Sequence, residues 1–225
     1  ADSATITRME GEVFLLTNPG KSEPAPGGTL VSYEHQMYTQ RSAKPGDRME
    51  DGNVIRCAPD SKARLIYENG DVAEVFSGTS YLIRTAQKAG VPQTSVQLHF
   101  GQVRFVISSQ GPRKHLSVRS QSAVMGVRGT DFIVREEGSK GSRVTVLRGK
   151  VAVTVTGTVQ KEFTVGAGST GVILAKPQGG FQESAPRATT RSELREIQAM
   201  SKMSRSDSAE LAALEARALE SALKD

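Results

Sequence analysis

With 225 residues, 24% of them charged and a mean hydropathy of −0.35, the chain is sized for one large or two small domains that fold in water, and no stretch approaches the roughly 18 apolar residues of a membrane span. Its single cysteine, Cys57, excludes an intramolecular disulfide and a cysteine-cluster metal site. The formal charge of +5 lies wholly within residues 1–186, because seven basic and seven acidic residues balance from Arg187 onward; spread over such a body it serves solubility more than anion binding.

Twenty-two glycines, nine prolines, no tryptophan and 5% aromatics predict a core of Val, Ile, Leu and Ala carried on many short elements. From Ala4 to Leu174 the pattern is short runs of period two, separated by Gly, Pro, Asn and Asp. Gly11-Glu12-Val13-Phe14 opens one strand, and Gly101-Gln102-Val103-Arg104 and Gly149-Lys150-Val151-Ala152 repeat its grammar at irregular intervals. Stacked short strands that start at glycine suit a solenoid or a sandwich, and the absence of helical patterns between them argues against βαβ units. Residues 17–47, rich in Pro and Gly, read as a long surface loop with one strand near Leu30 to Tyr33.

Ile66-Tyr67-Glu68-Asn69-Gly70-Asp71-Val72 predicts a hairpin whose Asn-Gly pair suits a type I′ turn. Val96, Leu98 and Phe100 alternate with polar residues, and Val103, Phe105 and Ile107 resume the alternation after Gly101, which predicts a strand, a kink and a second strand. A further reversal falls at Gly149, followed by a strand with Val151, Val153 and Val155 on one face. Past Gly180 the composition turns helical. Thr190-Arg191-Ser192-Glu193 has the spacing of a capping box, and Ser206 to Glu210 offers a second helix start, so the tail reads as one helix or two. Leu194, Ile197, Leu211, Leu214 and Leu223 would form the apolar interface of this tail, facing the β body, a partner helix or a second copy. The chain thus divides into an all-β domain over 1–180 and a helical extension over 181–225.

Tests for chemistry fail on spacing. There is no G-x-S-x-G elbow and no phosphate-wrapping G-x-x-x-x-G-K loop. His35, His99 and His115 share no metal-ligand spacing, and Met49 stands where a calcium loop through Asp47 to Asn53 would need an oxygen. Cys57 reads as a small buried residue, distant from any base. Pro112-Arg113-Lys114-His115 is basic but has no interleaved aromatics, so no nucleic-acid partner is expected. No catalytic residue, cofactor or metal is expected.

The most distinctive stretch is Ser122-Ala123-Val124-Met125-Gly126-Val127-Arg128-Gly129-Thr130-Asp131-Phe132-Ile133-Val134, followed by Val144-Thr145-Val146-Leu147-Arg148-Gly149-Lys150-Val151-Ala152-Val153. Together with the upstream strings from Pro45 to Arg56 and from Asp60 to Asp71, in that order, it resembles the FecR-type domain, named for the iron-dicitrate transport regulator. The resemblance spans roughly Gly11 to Gly171. It implies a mainly β, solenoid-like or sandwich body of many short strands, periplasmic or secreted in a bacterium, without known catalysis. It also implies a signalling or scaffolding role toward an envelope protein, with peptidoglycan or another envelope polysaccharide as the alternative partner. From the residues themselves, glycines at 126 and 129 permit a tight turn that brings Arg128 and Asp131 close enough to pair or to bond exposed carbonyls and amides at the corner. Gly126, Arg128, Gly129, Thr130 and Asp131 are therefore expected to form a structural corner or a partner contact.

Overall fold

The computed structural model describes residues 3–88, 91–108, 116–157, 161–204 and 208–223, without the side chains of 86–88, 91–93 and 221–223. The Pro112-Arg113-Lys114-His115 segment, Ser206, Asp207 and the Leu223 side chain lie outside the described residues. Period-two runs become strands β1 (Ala4–Glu10), β2 (Val13–Thr17), β3 (Thr29–Tyr33), β4 (Gln36–Ser42), β5 (Arg48–Met49), β6 (Val54–Cys57), β7 (Lys62–Tyr67), β8 (Val72–Val75) and β9 (Ser80–Lys88). The long β10 (Val91–Val106) is followed by β11 (Leu116–Arg119), β12 (Ala123–Val127), β13 (Asp131–Glu136), β14 (Gly141–Arg148), β15 (Lys150–Val155), β16 (Lys161–Gly166), β17 (Ser169–Ala175) and β18 (Phe181–Ala188). Two helices close the chain, α1 (Arg191–Met200) and α2 (Ala209–Leu223).

The strands form two sheets that share β10. Sheet A runs β5–β1–β7–β8–β10–β13–β14–β17–β18, all antiparallel. Sheet B runs β3–β4–β2–β6–β9–β10–β11–β12–β15–β16, antiparallel except for the β10–β11 pair. Neither sheet closes on itself. Ile6, Leu65, Val75, Phe105 and Val134 of sheet A meet Leu15, Ile55, Tyr81, Leu98 and Met125 of sheet B in one buried core. Burial of these alternate residues is the main favourable term, on the order of 2 kcal/mol for each large side chain.

The glycine-polar-Val repeats mark where the chain changes sheet. Gly11 lies between β1 and β2, Gly101 divides β10 into its B half and its A half, and Gly149 joins β14 to β15. All three have positive φ. A Cβ at Gly149 would stand 2.7 Å from the Gly129 carbonyl oxygen, and one at Gly101 would collide with Thr79. The turn and the tight layer contact therefore both exclude a side chain. The reversal predicted at Gly149 is thus a passage between layers, not a hairpin within one sheet.

Two other expectations are corrected. The Asn69-Gly70 hairpin forms, but not with a type I′ turn: only Gly70 has positive φ, +87°, and Gly70 N–H donates to Tyr67 O at 2.9 Å. Asn69 instead caps the turn, its Oδ1 accepting from Asp71 N–H at 3.1 Å and its amide donating to Asp71 Oδ2 at 2.8 Å. That arrangement suits a three-residue loop closed by a glycine bulge. The 17–47 loop holds two strands, β3 and β4, joined at Glu34-His35 with φ +47° and +62°. This pair, with Tyr33 opposite Gln36, has the positive φ at both central positions that a type I′ turn requires. The hairpin curls over the outer face of sheet B, where Tyr33 and Tyr38 pack on Leu16, Val54 and Leu82.

Candidate interaction surface

The two outer faces of the body are treated differently. Over sheet A lies the C-terminal tail. Thr190 caps α1 as its spacing predicts, accepting from Glu193 N–H while the Glu193 carboxylate receives Thr190 N–H at 2.8 Å. Arg187 grips the same carboxylate at 2.6 and 2.9 Å. The Arg187 hydrogen bond, aided by those from Thr190, holds the Glu193 carboxyl at about 2, well below the usual range, although partial burial opposes it. Ile197 is buried, Met200 is half-buried, and α2 sets Leu214, Ala218 and Leu219 against Ile66, Val72 and Val106. Of the other predicted interface residues, Leu211 is half-buried and Leu194 is exposed.

Polar groups do much of the holding. The outward residues of β7, β8, β10 and β13 form a ladder. Arg64 donates to Glu74 at 2.6 and 3.1 Å, Arg104 reaches Glu74 at 3.4 Å, and Arg104 clasps Asp131 at 2.7 and 2.9 Å. Burial pushes the Arg104 guanidinium down, yet Asp131 and Glu74 together raise it above its ordinary value. The tail locks onto this ladder. Ser201 Oγ donates to Glu74 at 2.6 Å, its carbonyl accepts from Arg64 at 3.3 Å, and the Lys202 and Ser204 carbonyls accept from Lys62 and Arg8. Glu215 of α2 is buried, accepts from Thr7 Oγ1 at 2.6 Å, and pairs with Arg8 and, at 3.6 Å, Arg64. Sequence reading missed these residues, though one signal was present: Glu215 is a lone carboxylate on the helical face of Leu211, Leu214 and Ala218.

The distinctive glycine stretch sits at a passage from sheet B to sheet A. Gly129 (φ +59°) lies between β12 and β13 and touches the second passage at Gly149. Thr130 is fully buried, and its hydroxyl has no hydrogen-bond partner among the described residues. The predicted Arg128–Asp131 pairing does not form. Asp131 points along sheet A to Arg104, whereas Arg128 is exposed and has no partner among the described residues. The layer change sends the two side chains to different faces.

Gly126 lies inside β12, and its row continues across sheet B as Ser117–Gly126–Ala152–Thr164. These small residues floor an open groove of about 480 Å³, flanked by Arg128 and Lys150. Unlike the passage glycines, Gly126 has no positive φ, and a Cβ there would meet nothing within 4 Å. Glycine within a strand is about 0.5–1 kcal/mol less favourable than alanine, and nothing inside this chain compensates.

No arrangement for catalysis is assembled among the described residues. Cys57 is buried, which pushes its thiol up to about 12. Ser142 donates to Glu136 at 2.7 Å beside Ser122, but all three are buried, out of reach of a substrate. No three His, Cys, Asp or Glu side chains converge to hold a metal among the described residues, and no helix is long and apolar enough to cross a membrane.

These features define an all-β body of two stacked sheets, with one outer face partly covered by its own tail and the other partly open. Residues 48–152, from β5 into β15, match the family model described as FecR protein. No curated protein matches the chain. Two crystal structures of a candidate anti-sigma factor from Parabacteroides distasonis ATCC 8503 are similar to it, each with 18% identity and a TM-score of 0.48, covering 60% of this chain and 60% of theirs.

Proposed function

We propose that this chain is a non-catalytic protein-binding module of bacterial cell-envelope signalling or scaffolding, periplasmic or secreted, that receives its partner in the groove around Gly126 and Arg128. Gly126 carries this reading: it is a glycine that neither backbone conformation nor internal packing requires, placed where an incoming backbone can approach the sheet closely. Arg128 and Lys150 supply charge at the rim, suited to orienting an acidic partner surface. The free edge of β16, two strands beyond β12, would allow strand addition beside the groove. Envelope polysaccharide is the weaker reading, because no aromatic side chain among the described residues lines the groove for sugar stacking.

The test is a photo-crosslinker at Ala152, exposed to envelope extract, with and without Gly126→Trp. Capture of one protein by the parent chain, lost on filling the groove while the melting temperature holds, is the expected outcome. Undiminished capture by Gly126→Trp removes the groove from the interface, and retention by purified peptidoglycan sacculi would favour the polysaccharide reading.

A further inference from the structure

A second opening on the outer face of sheet B has different chemistry. It encloses about 590 Å³ between the tip of the β3–β4 hairpin and the Ser120–Gln121 turn. Gln97, Arg119 and Val124, in register across β10, β11 and β12, form its floor. Two opposite charges face it without protein compensation. Among the described residues Arg119 makes no ion pair or hydrogen bond, and Glu34 has His99, at 3.9 Å, as its only ion-pair neighbour.

His99 does not neutralise Glu34 at neutral pH. Burial, opposed by Glu34, holds the imidazole below its ordinary range. Its Nδ1 lies against the hydroxyl of Tyr33, a phenol that burial pushes up to about 12 and so keeps protonated. The turn holding Glu34 is itself strained: Glu34 and His35 both adopt left-handed backbone, which asparagine and glycine would tolerate more easily. The Glu34 side chain is 55% exposed, so no packing compensates for keeping it there. Strain retained at an exposed charged side chain on a cavity rim points to use of that charge.

We propose that this trough binds a small zwitterion of the amino-acid or short-peptide class, its carboxylate against Arg119 and its ammonium against Glu34. Gln97, Gln121 and Ser120 offer donors and acceptors for the intervening amide. A simple anion would be repelled by Glu34, and a simple cation by Arg119. A sugar would find Val124 where a stacking ring is wanted.

The test is calorimetric titration of the full chain at pH 7 with L-alanyl-L-alanine, set against the same dipeptide acetylated and amidated so that both charges are gone. Saturable binding of the free dipeptide, weakened about tenfold or more by blocking its termini and to a similar degree by Arg119→Gln or Glu34→Gln, is expected from the loss of a charge-assisted contact. Both side chains are exposed, so these variants should keep the parent melting temperature; if either fails to fold, the comparison of free and blocked peptide on the parent chain still decides. No saturable heat at millimolar peptide, equal binding of the blocked form, or binding of chitotriose that Arg119→Gln leaves unchanged would each overturn the assignment.

Discussion

Glu215→Gln should release α2 from the body without unfolding the sheets. The substitution keeps size and an acceptor for Thr7, but it deletes the charge that faces Arg8 and Arg64. Breaking an isolated buried ion pair costs about 3–5 kcal/mol. Two features reduce that figure here. Arg64 keeps its two hydrogen bonds to Glu74 Oε1, and Arg8, 18% exposed, keeps the Ser204 carbonyl at 3.1 Å. A loss of about 2–3 kcal/mol is therefore expected, the worth of a hydrogen bond to a charged group. That lowers the docked-to-undocked ratio of the tail roughly 30- to 150-fold. Amide hydrogen exchange reads this directly: protection across 209–220 should fall by that factor, while amides of Phe105 and Val134 in the shared core hold theirs. A fall of less than about threefold, under ~0.7 kcal/mol, would refute the claim that the ladder, more than the Leu214 and Leu219 contacts, fastens the helix.

Gly149→Ala should destabilise the chain by about 2–4 kcal/mol in urea unfolding, combining a left-handed backbone with a Cβ pressed on the Gly129 carbonyl, whereas Gly126→Ala should be neutral or stabilising by up to about 1 kcal/mol; similar losses at both sites would defeat the distinction between passage and groove glycines. Cys57, its thiol raised to about 12 by burial, should not react with a thiol reagent at pH 8 until denaturant is added, and prompt reaction of the native chain would contradict its placement. The Glu193 carboxyl is held at about 2 against an ordinary 4.5, so the stabilisation it gives the start of α1 is complete above pH 4.5 and is lost as pH falls toward 2. A carboxyl titration by NMR should show this depression, and a midpoint near 4.5 would mean that the capping box and the Arg187 clasp do not persist in solution.

Local chemistry was legible wherever neighbours in the chain decide the outcome. Alternating valines announced β15, Thr190 and Glu193 announced the start of α1, and the glycine-polar-Val strings fall at the layer passages, although they left a solenoid and a sandwich equally open. The type I′ assignment at Asn69-Gly70 failed because Asp71 recruits the Asn69 side chain and lengthens the loop by one residue. The hairpin at Glu34-His35 went unread because neither residue advertises positive φ; Tyr33, reaching Ser80 and His99, holds it in place.

Alternation and glycine placement alone determined that this chain is mainly β with a helical tail, since a period of two or of 3.6 acts within a few residues. Which strands pair, which face the tail covers and which glycine is free of internal duties were decided only by the tertiary structure. Thr7 and Glu215 are 208 residues apart, and Asp131 chooses Arg104 over the nearer Arg128. Such choices depend on burial, because an ion pair gains its strength only after both sheets and the helix have excluded water around it, and that exclusion belongs to the assembled body.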